Sequence, residues 1–416
     1  MSSPKTVSAM VRSRLCTGCG ACAGAFPEAI QMKDHPVHGR RPIVDPGNFA
    51  DVDAMEYCAG AGIDMPVPRD KVEAEWGPVL KTWEGWATDD EIRYSGSSGG
   101  VATAIALFAL QRGMVGGVAH ITARTGDARL NQSTISRQRE ELLRATGSRY
   151  AQASPAETVG DIIKSDVPIA FIGKPCDIAS MHKARKINPA LHSNLGPMVA
   201  IFCAGAPNLN ATEDLLDRLG VPKGARVTSL RYRGNGWPGM MKARWVNNNG
   251  SEQDSDSIPY SEGWGHILEK GRRWRCRLCD DHTGVFADIS VGDPWHHPPE
   301  GNKDPGRSLI VARTASGQAL IEAAIKAGFL GVEIENRGVI SVAQPNLLET
   351  NAAVWGRRIA FRLLGLPVPS SKVARFEIWL WRLSLKKKAQ SILGTFKRIY
   401  RDRLWQPLKL GEAKDQ

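Results

Sequence analysis

The stretch Cys16-Thr-Gly-Cys19-Gly-Ala-Cys22-Ala-Gly-Ala-Phe26-Pro27 spaces three cysteines by two residues on one short loop. Three thiolates so placed wrap an iron–sulfur cubane, and the small residues between them let backbone N–H groups approach the sulfides. Zinc sites more often use separated C-x2-C pairs, so the triple favours iron–sulfur over zinc. The common bacterial run continues with C-x3-C-P, and here Phe26 stands where that last cysteine falls. In two-cluster ferredoxins that cysteine ligates the other cluster. A one-cluster module therefore does without it and takes its fourth ligand from downstream. Cys58 is the only cysteine between Cys22 and Cys176 and is the candidate. The competing reading of Cys58 is a buried free thiol.

Around this loop, residues 1–70 are rich in Gly and Pro with little periodicity, and they read as a small ferredoxin-like module. The whole chain has 416 residues, enough for two or three domains, and 42% hydrophobic with 23% charged residues is ordinary for a globular protein. There is no run of 18 apolar residues and no apolar signal core near the N-terminus, so a cytoplasmic protein is expected. The net charge of +11 is uneven: residues 371–416 carry 12 Lys+Arg against 4 Asp+Glu, leaving the rest of the chain only +3. A nearly neutral body is not expected to bind nucleic acid.

Residues 75–345 mix strand and helix patterns, predicting an α/β domain. Helices are expected over 98–111, 176–185, 211–219 and 317–326. Strands are expected over 115–123, 167–172, 198–202, 226–233, 242–246, 308–312 and 331–334, with another between Asp288 and Asp293. The fold expected is thus mixed α+β and α/β: the N-terminal iron–sulfur module, a larger α/β domain, and a helical tail over 350–416.

The remaining four of the eight cysteines lie in this larger domain. Cys176 and Cys203 each follow a predicted strand, at the carboxyl ends where α/β sheets hold ligands. Cys276-x2-Cys279 adds a chelating pair. By spacing alone this quartet holds zinc, a cluster or nothing.

Seven blocks in order are similar to the family of coenzyme F420 hydrogenase/dehydrogenase beta subunits, which includes reductases of hydroxymethyl chlorophyll and divinyl chlorophyllide. They are the cysteine loop, Tyr94-Ser-Gly-Ser-Ser-Gly-Gly100, Thr146-Gly-Ser-Arg-Tyr150, Gly173-Lys-Pro-Cys176, Phe202-Cys-Ala-Gly205, Arg231-Tyr-Arg-Gly-Asn-Gly-Trp-Pro-Gly239, and Cys276-Arg-Leu-Cys-Asp280 with Ala287-Asp-Ile-Ser-Val-Gly-Asp-Pro-Trp295. They span roughly residues 10–345 and leave 350–416 outside. The resemblance implies FAD and one or two [4Fe–4S] clusters, with Cys176, Cys203, Cys276 and Cys279 around the cluster nearer the flavin.

On that footing the Gly/Ser turn before the predicted helix becomes a phosphate or flavin site, through Ser95, Ser97, Ser98, Gly99 and Gly100. Without the resemblance it is an ordinary helix start. Ser148 and Tyr150 are candidates for hydroxyl and ring contacts to FAD, and Lys174 for tuning the flavin or pairing with a phosphate. Asp288 and Asp293 are candidates for the ribityl chain or the reacting centre, or else simply accept backbone N–H groups. His296, with His297, is a candidate proton donor, against the commoner reading of an exposed loop histidine.

Residues 371–404 carry a basic, Trp-bearing amphipathic pattern. It suits the surface of an anionic membrane or an acidic partner such as ferredoxin, or else packs on the body with one solvated face. Together these readings predict an iron–sulfur flavoprotein oxidoreductase. Electrons would pass between a ferredoxin-type carrier, two [4Fe–4S] clusters, FAD and a small organic substrate. The alternative is a non-catalytic electron-transfer beta subunit of a larger dehydrogenase or hydrogenase. A zinc-stabilised binding protein requires that the cysteines hold no iron.

Overall fold

The computed structural model describes residues 4–35, 37–301, 304–371 and 375–410. Thirteen strands are found among them: β1 (Ile30–Lys33), β2 (Arg41–Val44), β3 (Lys81–Ala87), β4 (Gly117–Arg124), β5 (Asp127–Ser136), β6 (Ile169–Gly173), β7 (Leu195–Ile201), β8 (Arg226–Arg231), β9 (Met240–Val246), β10 (Glu252–Pro259), β11 (Ile289–Gly292), β12 (Ser308–Ala312) and β13 (Leu330–Glu335). Eight build one mixed sheet in the order β13-β3-β12-β11-β7-β6-β4-β5. Its centre, β11-β7-β6-β4, is parallel, and the flanking pairs are antiparallel. The fold is therefore mixed α/β.

Side-chain alternation divides the sheet between two cores. Val118, Ala170, Val199 and Ile310 face the helices Val101–Gln111 and Ala315–Lys326. Ala119, Ile169, Phe171 and Met198 face the helix Pro175–Ile187. Strands β8–β10 form a separate antiparallel sheet whose core includes Leu215, Tyr232 and Met241.

The helix expected from Ser98 begins at Val101. Gly100 has φ +73°, and a Cβ there would stand 2.7 Å from the Ile92 carbonyl, so the turn before the helix needs a glycine. A short helix, Asp90–Ser95, precedes it.

The first 70 residues hold short helices and the β1–β2 hairpin. Their packing is shared with the rest of the chain: Cys19 and Ala21 lie in one core with Ile178 and Ala287. Met10 and Leu15 share another with Leu278, Phe361 and Ile399.

The basic tail forms helices Phe376–Arg382 and Leu385–Arg401, packed on the helix Pro345–Leu363. Trp379 meets Trp355 with ring centroids 4.6 Å apart. Residues 372–374 of that tail, including Lys372, and 411–416 lie outside the described residues. No helix among the described residues is long and apolar enough to cross a membrane.

Candidate redox site

The loop of the first three cysteines closes on Cys58, which follows the turn Ala54–Tyr57. Phe26 makes this contact: its ring meets Tyr57 edge-on at 5.8 Å, one residue before Cys58. Gly18 adopts φ +72°, and a Cβ there would lie 2.5 Å from Arg273 Nη1. Its N–H points at Cys16 Sγ at 3.3 Å. Burial raises the Cys19, Cys22 and Cys58 thiols, Cys58 to about 11, and the neighbouring sulfurs of the same quartet add to the rise. The four sulfurs therefore lie within electrostatic reach of one another, Cys16 and Cys19 buried and Cys22 and Cys58 partly exposed.

The second quartet forms where three segments meet. Cys176 sits in the first turn of Pro175–Ile187, Cys203 two residues beyond β7, and Cys276 and Cys279 on and just after the turn Trp274–Arg277. Burial pushes Cys203 and Cys279 each up to about 12. The Ala206 N–H faces Cys276 Sγ at 3.5 Å. Asp281, buried beside this pair, accepts the N–H groups of Thr283, Gly284 and Val285 at 2.9, 2.7 and 2.8 Å, which shapes the turn after Cys279. Asp280 pairs with Arg358 in the interior, tying that turn to the helix Pro345–Leu363.

Neither donor set is drawn together as a single tetrahedral ion would draw it. A tetrahedral zinc with Zn–S near ~2.3 Å draws its sulfurs to about 3.8 Å from one another. Among the described residues, no three cysteine sulfurs lie within 4.8 Å of each other. Buried thiols with raised pKa values also need a strong Lewis acid to exist as thiolates.

The two quartets are neighbours. The helix that starts at Cys176 brings Ser180 Oγ to 3.2 Å from Cys19 Sγ and Lys183 Nζ to 2.9 Å from the Cys58 carbonyl. Arg41, buried between them, interacts electrostatically with both Cys16 and Cys276. Arg273 donates to the Thr17 carbonyl from the segment before Cys276.

A cavity of about 300 Å³ opens at the carboxyl ends of β4, β6, β7 and β11. This is where ligands bind in open α/β sheets. Ser97, Ser98, Gly100, Ser148, Tyr150 and Lys174 all line it, and so does Cys203. The Ser148 N–H donates to Ser97 Oγ, joining two segments far apart in the chain. Lys174 Nζ lies 2.6 Å from Asp177 Oδ2; burial opposes its charge, but that carboxylate prevails and holds the ammonium above its usual value.

Other expected residues lie elsewhere. Ser95 ends the helix Asp90–Ser95 and gives its hydroxyl to the Glu91 carbonyl at 2.7 Å. Gly99 packs against the sheet, its N–H on Ser308 Oγ at 2.9 Å. Asp288 is outside the cavity wall: it accepts the Met198 N–H at 2.9 Å and the Thr314 hydroxyl at 2.8 Å, a bracing role. Asp293 does reach the cavity, but both its oxygens are engaged. Arg233 donates to them at 2.7 and 2.9 Å and Trp237 Nε1 at 2.9 Å, so neither oxygen is free to serve a reacting group. His296 is outside the cavity wall, with Nε2 3.5 Å from Glu84 Oε2. Burial lowers its pKa.

Of the aromatic wall the sequence pointed to Tyr150 alone, and Tyr260, Trp264 and Trp295 join it only in the fold. Tyr150 meets Trp264 at 4.8 Å, and Tyr260 stacks on Trp295 at 5.7 Å and 11°. Arg149 and Arg233 complete the lining. Arg149 has no carboxylate partner among the described residues and bonds the Ala128 and Leu230 carbonyls at 2.6 and 3.3 Å. The signal for Arg233 lay in the Arg231–Gly239 block, which pointed to no chemistry by itself. Beyond Ser148, a basic trough continues along Arg144 and Arg231.

Two family models match the chain. The N-terminal part of the coenzyme F420 hydrogenase/dehydrogenase beta subunit matches residues 82–159, and its C-terminal part matches 167–337. The beta subunit of the coenzyme F420 hydrogenase of Methanococcus voltae is 25% identical over 291 residues, covering 68% of this chain and 95% of that protein. One of the subunits of the F(420)H(2) dehydrogenase of Methanosarcina mazei is 23% identical over 306 residues, covering 70% and 81%. A chain in the solved F420-reducing [NiFe] hydrogenase complex of Methanosarcina barkeri superposes with TM-score 0.50 at 19% identity, over 84% of this chain and 100% of that one. At that identity the likeness concerns the fold.

Proposed function

The chain belongs to the family of coenzyme F420 hydrogenase/dehydrogenase beta subunits, and from that premise we propose that it is an electron-transfer flavoprotein working with a partner redox protein or subunit. Its cysteine quartets hold two [4Fe–4S] clusters and its cavity holds FAD. The observation that carries this reading is Cys203, which belongs to the second quartet and also to the cavity wall. A ring held in the cavity would stand beside Cys203, and the helix Pro175–Ile187 leads on to the first quartet.

The chain's residues suit a flat, anionic ligand. Tyr150, Tyr260, Trp264 and Trp295 supply ring faces, and their stacking restricts where a planar group fits. Arg149 and the trough at Arg231 offer cationic groups to a pyrophosphate, with the Ser97 and Ser148 hydroxyls beside them. Arg233, held by both Asp293 oxygens, lies over Tyr260 and Trp295 and fixes that side of the wall. When bound, FAD exchanges electrons in pairs with an organic partner and singly with clusters. Amide donors at Cys16 and Cys276 raise the potentials of the groups those sulfurs hold.

The relatives named above are subunits, by their names, of a hydrogenase and a dehydrogenase. This favours a partner-dependent role over a self-sufficient reductase. The helix Leu385–Arg401 presents exposed Lys386, Leu393 and Lys397, a face suited to an acidic redox protein such as ferredoxin.

Anaerobic purification with iron, sulfide and flavin analysis tests the cofactor set. Near eight irons and one FAD per chain is the expected outcome; an iron-free protein with tightly held zinc overturns it. Turnover of the isolated chain with reduced ferredoxin and an organic acceptor, without any partner subunit, would favour the reductase instead.

A further inference from the structure

Glu84 lies in the middle of β3, opposite Leu309 of β12 and Glu333 of β13, and its side chain is wholly buried. A carboxylate so placed needs strong partners. They arrive from one loop: His297 Nδ1 is 2.8 Å from Glu84 Oε2, and His296 Nε2 is 3.5 Å from the same oxygen. Arg307 Nη1 stands 3.4 Å from the other oxygen, Oε1. His297 Nδ1 also reaches that oxygen, at 3.1 Å, so its imidazole faces both carboxylate oxygens.

We propose that Glu84, His296 and His297 form a binding site for one divalent first-row transition-metal ion. One ligand atom from each residue lies within 4.8 Å of the other two, and among the described residues this is the one group of His, Cys, Asp or Glu with that property. Donors around zinc, at about 2.0–2.2 Å from the ion, sit roughly 3.3 Å apart, between the two separations seen here. Two imidazoles and a carboxylate suit zinc, manganese or ferrous iron, and no sulfur is present to favour a cluster.

The surrounding charge is also cationophilic. Glu333 joins Arg307 at 3.4 Å and Glu335 interacts with His296, so two further carboxylates flank the group beside Arg307 and Arg93. His296 Nδ1 is buried with no partner, which leaves Nε2 as its binding atom. The His297 side chain is 52% exposed, so the site has an open side for entry and for water ligands. The bound ion pins the segment that begins at Asp293 and Trp295, both in the cavity wall. The site itself depends on neither the flavin nor the cluster assignment.

The test uses the complete protein purified anaerobically, stripped with a mild chelator, and dialysed against zinc with a competing chelator. Zinc, iron and sulfide are then measured together. The wild type should retain one zinc that Glu84→Gln and His297→Ala lose, with affinity falling about tenfold or more. Iron and sulfide should not change. Because Glu84 is wholly buried, the exposed His297→Ala carries the result if Glu84→Gln fails to fold. Zinc retained equally by wild type and His297→Ala, or by neither, overturns the proposal. Iron and sulfide report separately on the cysteine quartets.

Discussion

Ser180 Oγ lies 3.2 Å from Cys19 Sγ, although 161 residues separate them. The same hydroxyl is 3.3 Å from the Ala59 N–H, next to Cys58. One side chain on the helix that begins at Cys176 thus touches both ends of the first quartet. Ser180→Ala should cost about 1 kcal/mol of stability, since it leaves a buried N–H unmatched. With clusters bound, loss of a donor to sulfur should also move one potential negative and leave the other unchanged. Urea unfolding and a redox titration followed by electron paramagnetic resonance check the two effects.

The quartets should be separable by mutation. Cys58→Ala should lose about half the iron and keep the flavin, and Cys276→Ala should lose the other half. Phe26 and Tyr57 place Cys58 by packing, so Phe26→Ala should also weaken the first site without removing a ligand. Iron counting by mass spectrometry distinguishes the variants. Iron content in Cys58→Ala equal to wild type would sink the fourth-ligand assignment.

Arg233 and Asp293 form a pair in which the guanidinium is almost fully buried. Asp293→Ala leaves that cation unpaired and should cost about 3–5 kcal/mol. Flavin content should fall in step, because Arg233 also lies over Tyr260 and Trp295 at 4.7 and 5.6 Å. Replacing both residues, Arg233→Met with Asp293→Leu, should restore stability but not flavin binding. Denaturation midpoints and bound-flavin fluorescence provide the readouts.

Stability should weaken in mild acid. Burial against Phe286, at 4.6 Å between rings, and then the nearby Lys186 and Arg185 lower His182 to about 4. An unfolded histidine takes its proton near pH 6.5. Between pH 6.5 and 4 the unfolded chain therefore binds more protons than the folded one, and stability is lost as pH falls through that window. Above it this group has no effect. After discounting for partial exposure, the loss from His182 at pH 5 is on the order of 1 kcal/mol. His182→Gln should flatten that part of the pH dependence, measured by urea unfolding at pH 7 and 5.

Several elements were legible because their residues follow a period. The strands Ile169–Gly173 and Ser308–Ala312 and the helix Ala315–Lys326 fall within two residues of their predicted bounds. Others hid for stated reasons. Strand β3 carries Glu84 and Gly85 in its middle, and β10, Glu252–Pro259, is polar along most of its length on the outside of a three-stranded sheet. Neither presents the apolar run or clean alternation that marks a strand. Asp288 was open to two readings, a flavin ligand or an acceptor of backbone N–H groups, and its oxygens take the Met198 N–H and the Thr314 hydroxyl.

Cysteine spacing was enough to suggest iron–sulfur chemistry, because C-x2-C-x2-C is a local property of one loop and needs no tertiary information. The Gly/Ser turn before Val101 was likewise visible as a backbone that must bend sharply. The meeting of Cys176, Cys203, Cys276 and Cys279, the aromatic wall of Tyr260 and Trp295, and the approach of His296 to Glu84 arise only when distant segments pack. They depend on sheet order and strand register, which depend on contacts across hundreds of residues, and no local period encodes those. Phe26 shows both sides: its position in the motif said that a ligand must come from elsewhere, and its packing on Tyr57 brings Cys58 to the loop.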